Sequence, residues 1–251
     1  MLTKRLAGTV AICLLLAAGA TACGDDKASS AAKLDTDKLS AEEIQKKAKE
    51  ALAGASSVKV VGEIVNDSAK VALDLAVDTQ GQCKGSVTMP GAGRFELLGD
   101  GKQVFLKPDS DFVKNVAGGG PEAAKAAELL KGRYISGVQN DPEMKELTTV
   151  CNLKELSKSF TEDGGASNIT KGSAGTVNGA KTFSVKSKSD GGETVLHVAT
   201  EGTPYPLRLE KTGKDSGKVD FTEINKPLTV QAPPADQVID YSVFKSQSKT
   251  A

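Results

Sequence analysis

The stretch Lys70-Val71-Ala72-Leu73-Asp74-Leu75-Ala76-Val77-Asp78 alternates large apolar residues with small or charged ones along its whole length. Successive side chains on a strand point to opposite faces, so Val71, Leu73, Leu75 and Val77 share one face while Asp74 and Asp78 lie on the other and are read as solvated. A strand of this kind buries one side only. It therefore calls for an antiparallel sheet, wet on one face, with a second layer covering the apolar one.

The same period of two recurs on both sides of this stretch. It covers 58–65 before the turn Asn66-Asp67-Ser68, then 85–89, 94–98 and 103–107, the last two joined by Asp100-Gly101, a strong hairpin signal. It returns over 182–188, 193–200, 207–211, 218–224 and 228–230, punctuated by Asn178-Gly179, Asp190-Gly191-Gly192 and Lys214-Asp215-Ser216-Gly217. Helical patterns occupy the remaining segments. Ser40 and Glu43 form a capping box ahead of Ile44, Ala48, Ala51 and Leu52, and Gly54 stops that helix. Gly118-Gly119-Gly120-Pro121 breaks the chain before a helix over 121–131, which is followed by Gly132 and an extended piece over 133–137. Asp141-Pro142 reads as another helix start, and Asn152 as the cap of a turn or two over 153–160. Helix, meander, helical insert and second meander make one α+β domain. A split into two domains near residue 135 would leave each half with a thin core.

Ahead of the domain, Lys4 and Arg5, an apolar run from Leu6 to Leu16 and small residues up to Ala22 have the order of a secretory signal peptide over 1–22. The apolar run falls short of the ~20 residues a spanning helix needs. Ala20-Thr21-Ala22-Cys23 reads as a bacterial lipobox, with Ala20 where leucine is commoner, and the small, polar residues after it read as a flexible tether over 23–38. In that reading the Cys23 thiolate attacks a diacylglycerol donor, and the resulting chains hold the protein on the outer face of the cell membrane, each buried methylene contributing ~0.8 kcal/mol. Plain secretion, with Cys23 incidental, is the other reading.

Processing would remove Cys13 and acylate Cys23, leaving Cys83 and Cys151 in an oxidising compartment. They are read as a disulfide, the alternative being two buried free thiols; no histidine or further cysteine lies near either, so no metal is expected. Basic and acidic residues balance at 32 each, which leaves no basic excess for nucleic acid. His197, the one histidine, sits in a strand pattern without partners, and there is neither a G-x-S-x-G elbow nor a P-loop. No enzyme activity and no cofactor are expected. Aromatic residues make up 4% and tryptophan is absent, which argues against a sugar-stacking groove and leaves aliphatic surface to offer a ligand.

Leu39-Ser40-Ala41-Glu42-Glu43-Ile44, then Leu129-Leu130-Lys131-Gly132-Arg133-Tyr134-Ile135, then Thr203-Pro204-Tyr205-Pro206-Leu207-Arg208-Leu209 follow one another in an order that resembles the LppX and LprG family of actinobacterial envelope lipoproteins. Phe221-Thr222-Glu223-Ile224-Asn225 and Val230-Gln231-Ala232-Pro233-Pro234-Ala235-Asp236 look like the close of the same domain, and the chain is similar more distantly to LolA. The resemblance spans about 39–240, within a domain placed at 39–245. It implies an antiparallel half-barrel whose concave side is covered by helices, and a monomer that holds an acyl lipid or lipoglycan in the space between. Val71, Leu73, Leu75, Val77, Phe95, Leu97, Phe183 and Val185 are the candidate lining, with plain core as the alternative for each. Tyr134 stands where many relatives carry tryptophan, which implies a cavity of different size. Gly118 to Gly120, ahead of a helix, are read as a hinge that would suit a lid over the cavity, an anion-binding nest being the alternative. The same fold also serves RseB-type sensors that bind a protein regulator, and a structural surface lipoprotein with a filled core is the third reading.

Overall fold

The strand pattern resolves into β1 (Ser57–Asn66), β2 (Ala69–Asp78), β3 (Gln82–Met89), β4 (Gly93–Asp100), β5 (Val104–Pro108) and β6 (Tyr134–Ser136) in the first half of the chain. The second half supplies β7 (Ser167–Val177), β8 (Ala180–Ser189), β9 (Gly192–Ala199), β10 (Pro206–Lys211), β11 (Gly217–Thr222) and β12 (Val238–Asp240). The computed structural model describes residues 33–66, 69–142, 144, 148–161, 167–189, 192–213 and 216–250. The segment read as a signal peptide, Cys23 and most of the segment read as a tether lie outside the described residues, as does most of the segment after Asp141-Pro142.

All of these strands join one open sheet in the order β12-β6-β5-β4-β3-β2-β1-β11-β10-β9-β8-β7. The two meanders meet where β1 pairs antiparallel with β11, Val60 opposite Phe221. Every pairing is antiparallel except β12 with β6, because the chain leaves β11 in mid-sheet and returns to the far edge along 223–237. That crossing runs over the face opposite the helices: Leu228 lies with Lys59, Ala76 and Lys84, and the Val230 N–H donates to Gln82 Oε1 at 3.0 Å. The strand predicted over 228–230 is thus an irregular strap whose N–H bonds a side chain rather than a ladder.

Helices cover the other face. α1 (Ala41–Ala53) begins at Ser40, whose hydroxyl accepts from the Glu43 N–H at 3.2 Å while the Glu43 carboxylate accepts from the Ser40 N–H at 2.7 Å; such boxes contribute about 0.5–2 kcal/mol. Ile44 and Ala48 of α1 pack with Val185, Leu196 and Val198 in a smaller cluster under β7–β10. Leu34 joins that cluster at 8% exposure, and its N–H donates to Thr200 O. The segment read as tether to residue 38 is therefore already part of the folded body at Leu34.

The larger cluster lies under α2 (Ser110–Val116), α3 (Gly120–Leu130) and α4 (Leu153–Thr161) and contains Leu75, Val77, Phe95, Leu97, Leu106 and Phe221. Asn152 Oδ1 accepts from the Lys154 and Glu155 N–H groups, capping α4 as its sequence predicts. Phe160 of α4 meets Phe221 edge-on, with ring centroids 5.2 Å apart. Cys83 and Cys151 are bonded, with Cα atoms 5.2 Å apart, so the helical insert is stapled to β3 just ahead of α4. The last element, α5 (Tyr241–Thr250), follows β12 directly and lies against the same cluster through Tyr241 and Phe244.

Asp78 departs from its solvated reading. Only 8% exposed, its carboxylate accepts the Gln80 and Gln82 N–H groups at 2.8 Å each and closes the β2–β3 turn. Asp74 is solvent-facing as read, with Lys59 Nζ at 3.0 Å.

Candidate functional site

An apolar hollow of about 370 Å³ opens where β5 and β6 meet α2, α3 and α5. Leu106 and Ile135, opposite each other across the β5–β6 pair, form its floor. Phe112, Val113 and Val116 of α2 and Ala123, Ala126 and Leu130 of α3 form its walls, with Met144 beside them, and Tyr241 and Phe244 of α5 close it.

Local chemistry fixes those walls. Asp109 caps α2 by accepting the Phe112 N–H on Oδ1 at 2.7 Å, while its Oδ2 accepts the Arg94 N–H at 2.9 Å. One carboxylate thus ties the start of α2 to β4. Phe112 is pinned in consequence, its ring 5.0 Å from that of Phe95, an aromatic pair worth about 0.5–1.5 kcal/mol beyond burial. The approach depends on Gly93 at φ +105°, where any Cβ would collide with the Phe112 backbone nitrogen. Along α3, Ala123, Ala126, Ala127 and Leu130 are the buried positions, and three alanines out of four leave space that larger side chains would fill. Gly118, Gly119 and Gly120 all take positive φ and reverse the chain between α2 and α3.

Two charged residues, Glu122 and Lys245, stand in the lining, and both are partly exposed. Lys245 Nζ lies 2.9 Å from the Asp141 carboxylate, and Glu122 pairs with Lys125 at 3.2 Å. The interior offers aliphatic and aromatic carbon, which binds by area removed from water and without directional demands. Its volume lies at the small end of the roughly 300–1,000 Å³ of ligand pockets and suits a flexible hydrocarbon chain better than a polar solute. Val116, at the mouth, is 63% exposed.

The residues singled out from sequence are placed elsewhere. Val71, Leu73, Leu75, Val77, Phe95 and Leu97 belong to the larger cluster and Phe183 and Val185 to the smaller, so the eight do not gather around one space. Leu75, Val77, Phe95, Leu97 and Val185 are each at most 2% exposed. None of the eight walls the hollow. Tyr134 faces the opposite side of the sheet, with Lys107 Nζ 5.2 Å from its ring centroid. It lines a polar cleft of about 460 Å³ there, where Lys59 meets Asp74 at 3.0 Å and Arg94 meets Glu96 at 3.8 Å. The expectation that Tyr134 adjusts the apolar space is corrected accordingly; its neighbour Ile135 faces the hollow. Sequence reasoning missed α2, the Ala face of α3 and α5. The first was signalled by Asp109 three residues before Phe112, the second by alanines spaced three and four apart.

His197 lies on interior strand β9, its Nε2 3.8 Å from a Glu210 carboxylate oxygen. Next to it, Arg208 forks onto Asp220 at 2.6 and 2.8 Å. The Arg208 guanidinium holds the Asp220 carboxyl below the usual Asp range; burial opposes this and the Asn178 amide adds to it. Among the described residues no three His, Cys, Asp or Glu side chains gather as a metal site, and no helix is long and apolar enough to cross a membrane.

No protein-family model matches the chain, and no curated protein matches it in sequence. Among solved structures it is similar to LprF from Mycobacterium bovis, with a TM-score of 0.55 and 16% identity over 78% of this chain and 97% of that one. The lipoprotein LppX from Mycobacterium tuberculosis gives 0.48 and 15% over 75% and 96%. MucB, in the Pseudomonas aeruginosa MucA/MucB complex, gives 0.35 and 13% over 78% and 59%. The fold is that of LprF, and the likeness read in the sequence is a likeness of architecture.

Proposed function

We propose that this chain is an extracytoplasmic lipoprotein, anchored through Cys23, that holds an acyl chain in the hollow between its curled sheet and helices α2, α3 and α5. The observation that carries the proposal is the hollow itself: a space of about 370 Å³ walled mainly by Leu, Ile, Phe, Val, Ala and Met carbon, with Glu122 and Lys245 as its two charged lining residues. Water gains little in such a space, whereas hydrocarbon moved into it from water gains roughly 25 cal/mol per Å² of apolar area buried. A lipid offers both halves of the match, a tail for the interior and a polar head for the charged rim.

Anchoring fits the same reading. The ten positions from Cys23 to Lys33 reach at most about 36 Å when extended, which keeps the body close to the bilayer that supplies lipid. Lys33, the first of the described residues, forms a β-bridge with Glu201.

The test is occupancy against a variant that spoils the mouth without touching the core. Val116→Asp places a carboxylate at a 63% exposed position, where the fold tolerates it. The expected result is that acyl lipid co-purifying with the parent falls several-fold in the variant while the melting temperature stays within ~2 °C. Equal lipid in both would remove the hollow as the site. No lipid in either, before and after incubation with envelope lipid, would favour a protein partner or a purely structural role.

A further inference from the structure

The helix that lines one side of the hollow, α5, is joined to the sheet through a short edge strand. α5 follows β12, a strand of three residues whose one partner is β6, and β12 pairs with β6 in the parallel sense, unlike the rest of the sheet. The helix starts at a local cap, where Asp240 accepts the Ser242 N–H at 2.9 Å and the Ser242 hydroxyl. Its contacts with the body include those of Tyr241 and Phe244, whose rings stack 6.3 Å apart and are only partly buried, and of Lys245. Lys245 Nζ sits 5.4 Å from the Tyr241 ring centroid and 2.9 Å from the Asp141 carboxylate, whose side chain is 14% exposed. Val243, on the outer side, is 47% exposed.

Resting on the acyl-binding reading, we propose that α5 is a displaceable plug: Tyr241 and Phe244 occupy the volume a longer acyl chain needs, and the Lys245–Asp141 pair is the latch that holds them in. The geometry favours a plug over a fixed wall because both rings line the hollow while the helix that carries them follows a three-residue edge strand paired with β6. A chain too long for the hollow then requires α5 to swing about Asp240, and it binds fully only the fraction of molecules in which α5 has done so. Apparent affinity is lowered by that fraction, so weakening the latch tightens binding. A partly exposed ion pair shifts such an equilibrium by up to about fivefold.

The experiment uses the full chain with Cys23→Ala, alone and combined with Lys245→Met, and titrates each with pyrene-labelled hexadecanoic acid. Hydrogen exchange over 241–250 is followed with and without the probe. A plug predicts that Lys245→Met binds the probe a few-fold more tightly, and that bound probe speeds exchange in α5. Weaker binding in Lys245→Met together with slower exchange on binding makes α5 a wall of the site and overturns the proposal. Binding that ignores Lys245→Met, with unchanged exchange, also overturns it and leaves the acyl-binding reading standing. Absence of binding in both forms overturns the two together.

Discussion

Reduction of the Cys83–Cys151 bond is expected to cost a large share of the stability. The bond closes a loop with a sequence separation of 68, which contains β4, β5, β6, α2 and α3. On the chain-entropy relation, 2.1 + 1.5R ln 68 is about 14.7 cal/mol/K, or about 4.4 kcal/mol at 25 °C. In the folded state little is lost on reduction, because both sulfurs lie in the core, Cys83 at 0% and Cys151 at 4% exposure, where thiols pack as small apolar groups. A domain of this size moves by about 2–4 °C per kcal/mol, so the melting temperature is expected to fall by roughly 9–18 °C. The assay is thermal unfolding followed by circular dichroism, with and without a phosphine reductant, after thiol titration in denaturant has counted two free sulfhydryls. A fully reduced protein melting within 3 °C of the oxidised one would refute the reasoning. It would mean that the insert is held by packing alone, Phe160 against Phe221 included.

Cys23→Ala is expected to move the protein from the membrane fraction to the soluble extracytoplasmic fraction, read by fractionation and immunoblot; continued membrane association would exclude the anchor. Asp220 carries a lowered carboxyl pKa because Arg208 bonds its charged form, so it stabilises the fold above the unfolded Asp pKa near ~3.9 and that contribution is lost as pH falls through the lower folded value. Asp220→Asn should therefore lower stability at pH 7 by about 1–2 kcal/mol and flatten the acid limb of the stability profile below about pH 5, measured by urea unfolding between pH 3 and 7. An acid limb as steep in the variant as in the parent would remove Asp220 from its cause.

The long alternating strands and capped helices were legible because their signals are local. Ser40 with Glu43, Asn152 before α4 and Asp100-Gly101 between β4 and β5 each act through neighbours within four residues. β7 was missed because Ser167–Val177 is rich in small and polar residues and lacks alternation; its extended form comes from pairing with β8, with two shifts of register along the way. β12 exists only because the chain crosses back to β6, which no local pattern encodes. Asp78 was misread since alternation assigns it a face, while its burial comes from the turn that folds over it. The site was the least visible part. A strand's apolar face shows which residues are covered and not what covers them, and Leu75, Val77, Phe95 and Leu97 turn out to be covered fully. The hollow proposed to take the ligand lies beside the small face of α3, under a helix nearly 120 residues further along the chain.

The measurement that tests the central claim most directly is native mass spectrometry of the full-length protein purified from its own envelope in mild detergent, with the bound fraction released and identified by fragmentation. The account predicts one non-covalent adduct per chain that dissociates as an acyl lipid, in addition to any covalent acylation at Cys23. A chain carrying no such adduct, and none after incubation with envelope lipid, would contradict it.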